Sequence, residues 1–279
     1  MIFENMADFS VLIQMLVLLL ITGAFAGVLA GALGVGGGIV LVPAFLYVFG
    51  VLGFAGPEVM QLSLATSLAT IMVTSIRSVM SHNKKGAVEW DILRTWAPGI
   101  IFGAALGVWV ASSLRADVLQ IIFGALVMIV STYMVFSKTS WRIADTMPTG
   151  LVRLMASPIV GFLSVLLGIG GGSFGVPIMT LHGVPIHRAV ATAAGFGLLI
   201  AVPAVVGFLF MPVDPATRPP FTIGSINLAA FGIIIAMTLL TAPLGVRLAH
   251  GLDPDRLKRA FGVFLVLVGL NMLRKVAGL

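Results

Sequence analysis

Gly34-Val35-Gly36-Gly37-Gly38-Ile39-Val40-Leu41-Val42-Pro43 returns later in the chain as Gly168-Ile169-Gly170-Gly171-Gly172-Ser173-Phe174-Gly175-Val176-Pro177. Each copy follows one apolar run and opens another. Glycine accepts positive φ and lets other groups approach the backbone closely, so such a cluster marks a break rather than a continuous helix. The likeness extends to both sides. Phe25-Ala26-Gly27-Val28-Leu29 matches Ile159-Val160-Gly161-Phe162-Leu163, and Leu64-Ala65-Thr66-Ser67 matches Val190-Ala191-Thr192-Ala193. Farther on, Gly107, Leu114, Asp117, Leu119, Phe123 and Gly124 match Gly245, Leu252, Asp255, Leu257, Phe261 and Gly262 at constant spacing. Matched blocks in the same order imply an internal duplication. The expected organisation is a first repeat at 10–137, a cytoplasmic linker at 138–152 and a second repeat at 153–276.

Only 9% of the residues are charged and 59% are hydrophobic, whereas a soluble domain carries about 25% charged residues. With a mean hydropathy of +1.14, the chain must use lipid as solvent. Its 279 residues suffice for about eight to ten spans with short loops. The run from Phe9 to Leu33 is too long for a signal-peptide core and is preceded by Glu4 and Asp8, so it reads as the first membrane helix. The net charge of +6 comes from basic residues scattered between apolar runs, without the dense patch that nucleic-acid binding needs. The absence of cysteine excludes disulfides and thiolate chemistry.

Apolar segments fall at 10–33, 38–50, 60–81, 93–113 and 117–137, then at 153–168, 172–183, 188–211, 225–248 and 257–276. A crossing helix needs roughly 17–25 residues, so 38–50 and 172–183 read as half-helices or re-entrant arms. Loops near Lys84, Arg142 and Arg256 carry the positive charge and are expected in the cytoplasm. The N-terminus, the Ser112–Asp117 turn and the Pro212–Thr222 loop are then outside, with Arg274 and Lys275 as a small exception. Counting crossings makes each half odd, so the halves should be inverted. The expected fold is an all-α polytopic membrane protein. It has two inverted repeats of about five hydrophobic segments each, with glycine-broken or re-entrant half-helices meeting near the bilayer midplane.

Glycine-interrupted segments at corresponding places in two halves point to the binding site of a secondary transporter. Irregular backbone at membrane depth survives only where it is buried or faces water. Helices restarting after Gly34, Gly36, Gly37 and Gly38, and after Gly168, Gly170, Gly171 and Gly172, would present free amides, Ser173 among them. Two such ends brought together suit an anion; close helix packing is the plainer use of the same glycines. Ser63, Thr66, Ser67, Thr70 and Thr74 recur at helical spacing, with Thr192 as the clearest counterpart in the second half. They either line a polar path or bond back to their own helix carbonyls. His187 and Arg188 start the helix that bears Thr192. There they could recruit an anion, couple a proton, or simply sit solvated at an interface. Arg77 reads as an arginine reaching the interface, and Asn227 and Asn271 as amides between helices. No paired carboxylates or metal-binding His pattern occurs within the spans, so an enzyme is not expected, and neither is a metal or other cofactor.

The duplicated Gly-x-Gly-Gly-Gly…Pro blocks, together with Gly183-Val184-Pro185-Ile186-His187-Arg188-Ala189-Val190-Ala191-Thr192-Ala193, resemble the sulfite exporter TauE/SafE family of membrane permeases. The resemblance runs from about residue 11 to 276. Ala193 departs from it, standing where a Thr-Ser pair is common; Ser67 keeps that pair in the first half. The resemblance implies a permease of the bacterial inner membrane that moves a sulfur-containing oxyanion or organosulfonate such as sulfite, thiosulfate or sulfoacetate. By motif it implies roles for Gly34, Gly36–Gly38 and Pro43, for Gly168, Gly170–Gly172 and Pro177, and for Thr66, Ser67, His187, Arg188 and Thr192. The expected function is an exporter working by alternating access, with a small anion, the bilayer and a coupling proton as partners. A passive anion channel and a non-transporting scaffold are the rival classes. The sequence does not fix the oligomeric state.

Overall fold

The computed structural model describes residues 2–33, 38–137, 141–250, 254–276 and 278. Gly34, Gly36 and Gly37 of the first glycine motif lie outside the described residues, and Gly38 lies within them. Ten helices are described: α1 (Ile2–Leu33), α2 (Gly38–Val51), α3 (Val59–Asn83), α4 (Trp90–Ser113), α5 (Ala116–Phe136), α6 (Gly150–Leu166), α7 (Gly172–Leu181), α8 (Ile186–Leu209), α9 (Leu228–His250) and α10 (Pro254–Val276). Six of them, α1, α3, α4, α5, α8 and α9, contain stretches long and apolar enough to cross a membrane. The protein is an all-α polytopic membrane protein.

Each apolar segment of the sequence corresponds to one helix. Two local differences stand out. The segment expected at 225–248 starts too early, because Thr222–Ile223 and Ile226–Asn227 form a small antiparallel hairpin before α9. The linker expected to run to 152 ends sooner, since α6 begins at Gly150.

α7 has 10 residues, a rise of about 15 Å, and does not cross. α6 runs beside α4, with Gly161 against the Ile100 carbonyl and Val165 against Gly107. After the glycine turn, α7 returns to the end where α6 began: the amides of Ile143 and Ala144 donate to the Leu181 carbonyl at 2.8 and 3.2 Å. The other short helix, α2, leads instead to the opposite end, where a Cβ on Gly56 would lie 2.6 Å from Thr217. The two broken arms therefore open toward opposite ends of the bundle.

Packing follows the duplication. α1 lies on α9 as α6 lies on α4; α2 lies on α3 as α7 lies on α8; α3 pairs with α8 and α5 with α10. Exchanging the halves turns each pair into another on the same list. Glycine makes the first of these contacts close, because a Cβ on Gly27 would sit 2.8 Å from the Thr238 backbone. α3 and α8 form the centre. The span in α3 is 72% buried and that in α9 only 17%, so α9 and similar helices turn their apolar side chains to lipid.

Candidate functional site

The tips of the two broken arms meet inside the bundle. A Cβ on Gly38, the first residue of α2, would stand 2.9 Å from the Gly168 carbonyl oxygen and 3.0 Å from Ile169 Cα. Gly168 has φ +56°, a conformation that costs any other L-residue. A Cβ there would also come within 2.5 Å of Val42 and 2.9 Å of Leu64. The turn is held from α6, where the Ile169 amide donates to the Ser164 carbonyl at 2.9 Å. It is held from α3 as well, where Ser67 donates its hydroxyl to the Gly168 carbonyl at 2.7 Å. Gly171 presses on α8, and a Cβ on it would lie 2.5 Å from the Ala193 carbonyl.

α7 starts from this turn. Its first amides have no partner within the helix, and the helix N-terminus carries partial positive charge. Ser173, in its first turn, has a buried hydroxyl with no hydrogen-bond partner among the described residues. Nearby, a Cβ on Gly197 would lie 2.5 Å from Ser75 Oγ and 3.5 Å from the Gly171 amide nitrogen. Ser75, Gly171 and Gly197 thus bring α3, the turn and α8 to one point. Short donors at a helix start suit a small oxyanion; here Ile71 beside Gly170 and Phe196 beside Gly171 form the apolar wall around them.

The hydroxyl face of α3 divides into two sets. Ser63 donates to the Val59 carbonyl at 2.8 Å, Thr70 to the Ser67 carbonyl at 2.6 Å, and Thr74 to the Thr70 carbonyl at 3.1 Å. These hydroxyls return to their own helix and offer only acceptor lone pairs. Thr66 and Thr192, the matched threonines, cross between halves. The Asn227 amide donates to Thr66 Oγ1 at 3.0 Å, and the Glu89 amide donates to Thr192 Oγ1 at 2.9 Å. Asn227 precedes α9 and Glu89 precedes α4, so each threonine caps a free helix-start amide belonging to the other half. This pair of ties was not anticipated from the sequence, although extending the Gly107/Gly245 spacing backwards pairs Glu89 with Asn227.

Asn227 is not an amide between helices. Its side chain donates to the Pro220 carbonyl at 2.8 Å and to Thr222 Oγ1 at 3.0 Å, while Oδ1 caps α9 through the Ala230 amide at 2.8 Å. Asn271 is exposed on α10, and Arg77 is exposed near the end of α3. His187 is exposed, and Arg188 Nε lies 3.0 Å from Glu89 Oε1. Glu89 therefore grips α8 twice, by its amide and by its carboxylate, at the end of the bundle that bears Lys84 and Lys85. At the opposite end a cavity of about 850 Å³ opens between the start of α3 and the ends of α4 and α8, lined by Glu58, Gln61, Ser112, Asp117 and Phe210.

The sulfite exporter TauE/SafE family matches residues 19–272. A "probable membrane transporter protein" of Haemophilus influenzae is 32% identical over 260 residues, covering 93% of this chain and 98% of the relative. Another from Methanocaldococcus jannaschii is 27% identical over 93% of this chain and 96% of the relative. The Bacillus subtilis "probable membrane transporter protein YunE" is 28% identical over 63% of this chain and 72% of its own length. No solved structure matches. With two inward-folded arms meeting at their glycines and a match over nearly its whole length, the chain belongs to the sulfite exporter TauE/SafE family and is a multi-pass membrane transporter.

Proposed function

We propose that the protein exports a small sulfur-containing oxyanion or organosulfonate, such as sulfite, thiosulfate or sulfoacetate, across a bacterial inner membrane by alternating access. The observation that carries this reading is the meeting of Gly38 with Gly168 beside the start of α7, where the Ser173 hydroxyl has no partner among the described residues. The amides following Gly170, Gly171 and Gly172 supply donors that do not reorganise, and Gly38 opens the corresponding helix α2; roles for Gly34, Gly36 and Gly37 rest on the sequence repeat alone. Ser173 and Ser75 complete the oxygen contacts. Ser63, Thr66, Ser67, Thr70 and Thr192 shape the walls and hold the two halves in register rather than giving up their bonds to the substrate. Arg188 and His187 draw the anion from the basic, cytoplasmic end, and His187 is positioned to exchange a proton with solvent. Residues 10–137 and 153–276 act as the two rocking units, joined by 138–152 on the cytoplasmic side, with the N-terminus outside.

Accessibility favours a carrier over a channel. One end holds an open cavity, and the other is tied across Glu89, Arg188 and Thr192. A continuous pore would need both open together.

Ser173→Ala tests the site with little risk to the fold, since its hydroxyl makes no bond that the substitution would remove. In proteoliposomes loaded with labelled sulfite or thiosulfate, the variant should raise KM about tenfold, the loss of one good hydrogen bond to a charged group. Unchanged flux would place the anion elsewhere. Unitary currents reversing at the anion Nernst potential would replace the carrier by a channel.

A further inference from the structure

The cavity at the end away from the basic loops contains two buried oxygen atoms that have no hydrogen-bond partner among the described residues. Gln61 is 2% exposed and lines this cavity. Its Nε2 donates to the Leu114 carbonyl at 2.7 Å and to the Ala111 carbonyl at 3.3 Å. Both partners are acceptors, so the amide nitrogen has to face them and Oε1 has to face away. That Oε1 is buried and has no partner among the described residues. Glu58 lies one helical turn earlier on the same side, lines the same cavity, and has a buried, unpartnered Oε2.

The surroundings carry both electrical signs, because α3 and α5 begin at this cavity and other helices end there. α4 ends at Ser113 and α8 at Leu209, both beside this cavity, and helix C-termini carry partial negative charge. The other two charged groups on its wall, Arg115 and Asp117, are 3.1 Å apart and form an exposed pair. The buried side-chain atoms of this wall that have no partner among the described residues are one carboxylate oxygen and one amide oxygen, both acceptors. A hard cation takes oxygen ligands alone, and one carboxylate balances one positive charge.

We propose that Glu58 and Gln61 bind a sodium ion at the outer mouth, whose charge offsets that of the anion during the transport cycle. This rests on the transport reading above for its role, but binding itself can be measured without any anion moving. The experiment is equilibrium binding of radioactive sodium to the purified full-length protein in nanodiscs. It is paired with thermal unfolding in sodium chloride against N-methyl-D-glucamine chloride at equal ionic strength. Wild type should bind one ion per chain and gain a saturable rise in unfolding temperature. Glu58→Gln should weaken the apparent affinity at least tenfold, and Glu58→Asp should keep part of it. Should Glu58→Gln fail to fold, competition on wild type decides: lithium should displace the label and choline should not. Absence of saturable sodium binding, a response to pH alone, or equal affinity in Glu58→Gln would overturn the proposal. Loss of anion flux with sodium binding intact would count against the transport reading only.

Discussion

Gly168 is the position where backbone conformation and packing coincide, so its replacement can be worked through quantitatively. An alanine there would hold an L-residue at φ +56°, costing about 1–2 kcal/mol. Its Cβ would also stand 2.5 Å from Val42 Cγ2, 2.9 Å from Leu64 Cδ2 and 3.3 Å from Leu64 Cα. The first two atoms are side-chain ends that can give way, but the Leu64 backbone belongs to the central helix and cannot. Overpacking of this kind costs about 1–3 kcal/mol. Gly53 provides the control: it has φ +84° and nothing within 4 Å of an added Cβ. Both alanines stiffen the unfolded chain alike, so that contribution cancels in the comparison. Gly168→Ala should therefore be less stable than Gly53→Ala by about 1–3 kcal/mol, roughly five- to 150-fold in the folding equilibrium. Denaturant unfolding of both variants in mixed micelles, followed by tryptophan fluorescence, gives the comparison directly. Equal stabilities within about 0.5 kcal/mol would mean that the glycine turn is not pressed between α2 and α3, and the meeting of the two arms would lose its support.

Thr66→Val leaves a buried amide without an acceptor, costing about 1–3 kcal/mol, and Thr192→Val leaves a partly buried one that water can reach, costing about 1 kcal/mol. Because they tie different ends of the bundle, their effects should add in the double variant when unfolding is measured. Glu89→Gln should alter stability by no more than about 1 kcal/mol, since the Arg188 pair is partly exposed. It should nonetheless raise the labelling rate of a cysteine placed at Ser75 by a reagent added from the basic end; the absence of native cysteine leaves that signal without background. A rate unchanged by the substitution would show that the pair does not close that end. Sulfite at a hundred times its dissociation constant should stabilise the folded protein by about 2.7 kcal/mol, and Ser173→Ala, binding about tenfold more weakly, should remove about half of that rise at the same concentration, whereas chloride should produce none.

The spans were legible because an apolar run of membrane length leaves few alternatives to a helix, and the glycine breaks because two copies of one break cannot be read as accident. Residues 38–50 and 172–183 stood out by length as short arms, full crossing or re-entry being left open, and α7 returns to the end where α6 began. The hydroxyls were a different matter. Periodicity puts Ser63, Thr66, Ser67, Thr70 and Thr74 on related faces of α3, but it carries no information on where each O–H turns. Ser63, Thr70 and Thr74 take the nearest carbonyl on their own helix, while Ser67 finds a carbonyl on a turn a hundred residues away, at Gly168. Only the repeat itself encodes such distant partners. Glu89 and Asn227 carry no resemblance as side chains, yet both present a helix-start amide to a matched threonine. Asn227 was misread because its neighbours in space, Pro220 and Thr222, come from a hairpin too short to leave a strand pattern.

The ties also show where the duplication has diverged. Thr66 and Thr192 hold equivalent amides, so each end of the bundle has one backbone bond between halves. The charge pair has no such twin. Two residues before the matched Val190 stands Arg188, and two residues before Leu64 stands Leu62, which is buried and cannot bond to a carboxylate. Asn227, in the place of Glu89, directs its side chain into its own loop. The basic end is therefore fastened by a bond that the other end lacks, and the cavity lies at the end that lacks it. A partly exposed ion pair contributes about 0–1 kcal/mol. For two rocking halves of otherwise equal energy, that would favour closure of the basic end by up to about fivefold, a bias small enough for one bound anion to reverse. On the transport reading proposed above, an anion approaching from the basic end would meet Arg188 first and compete with Glu89 for its guanidinium. The group that would capture the substrate would thus also be the group that holds the entrance shut, and binding there would loosen the closure without a separate gate.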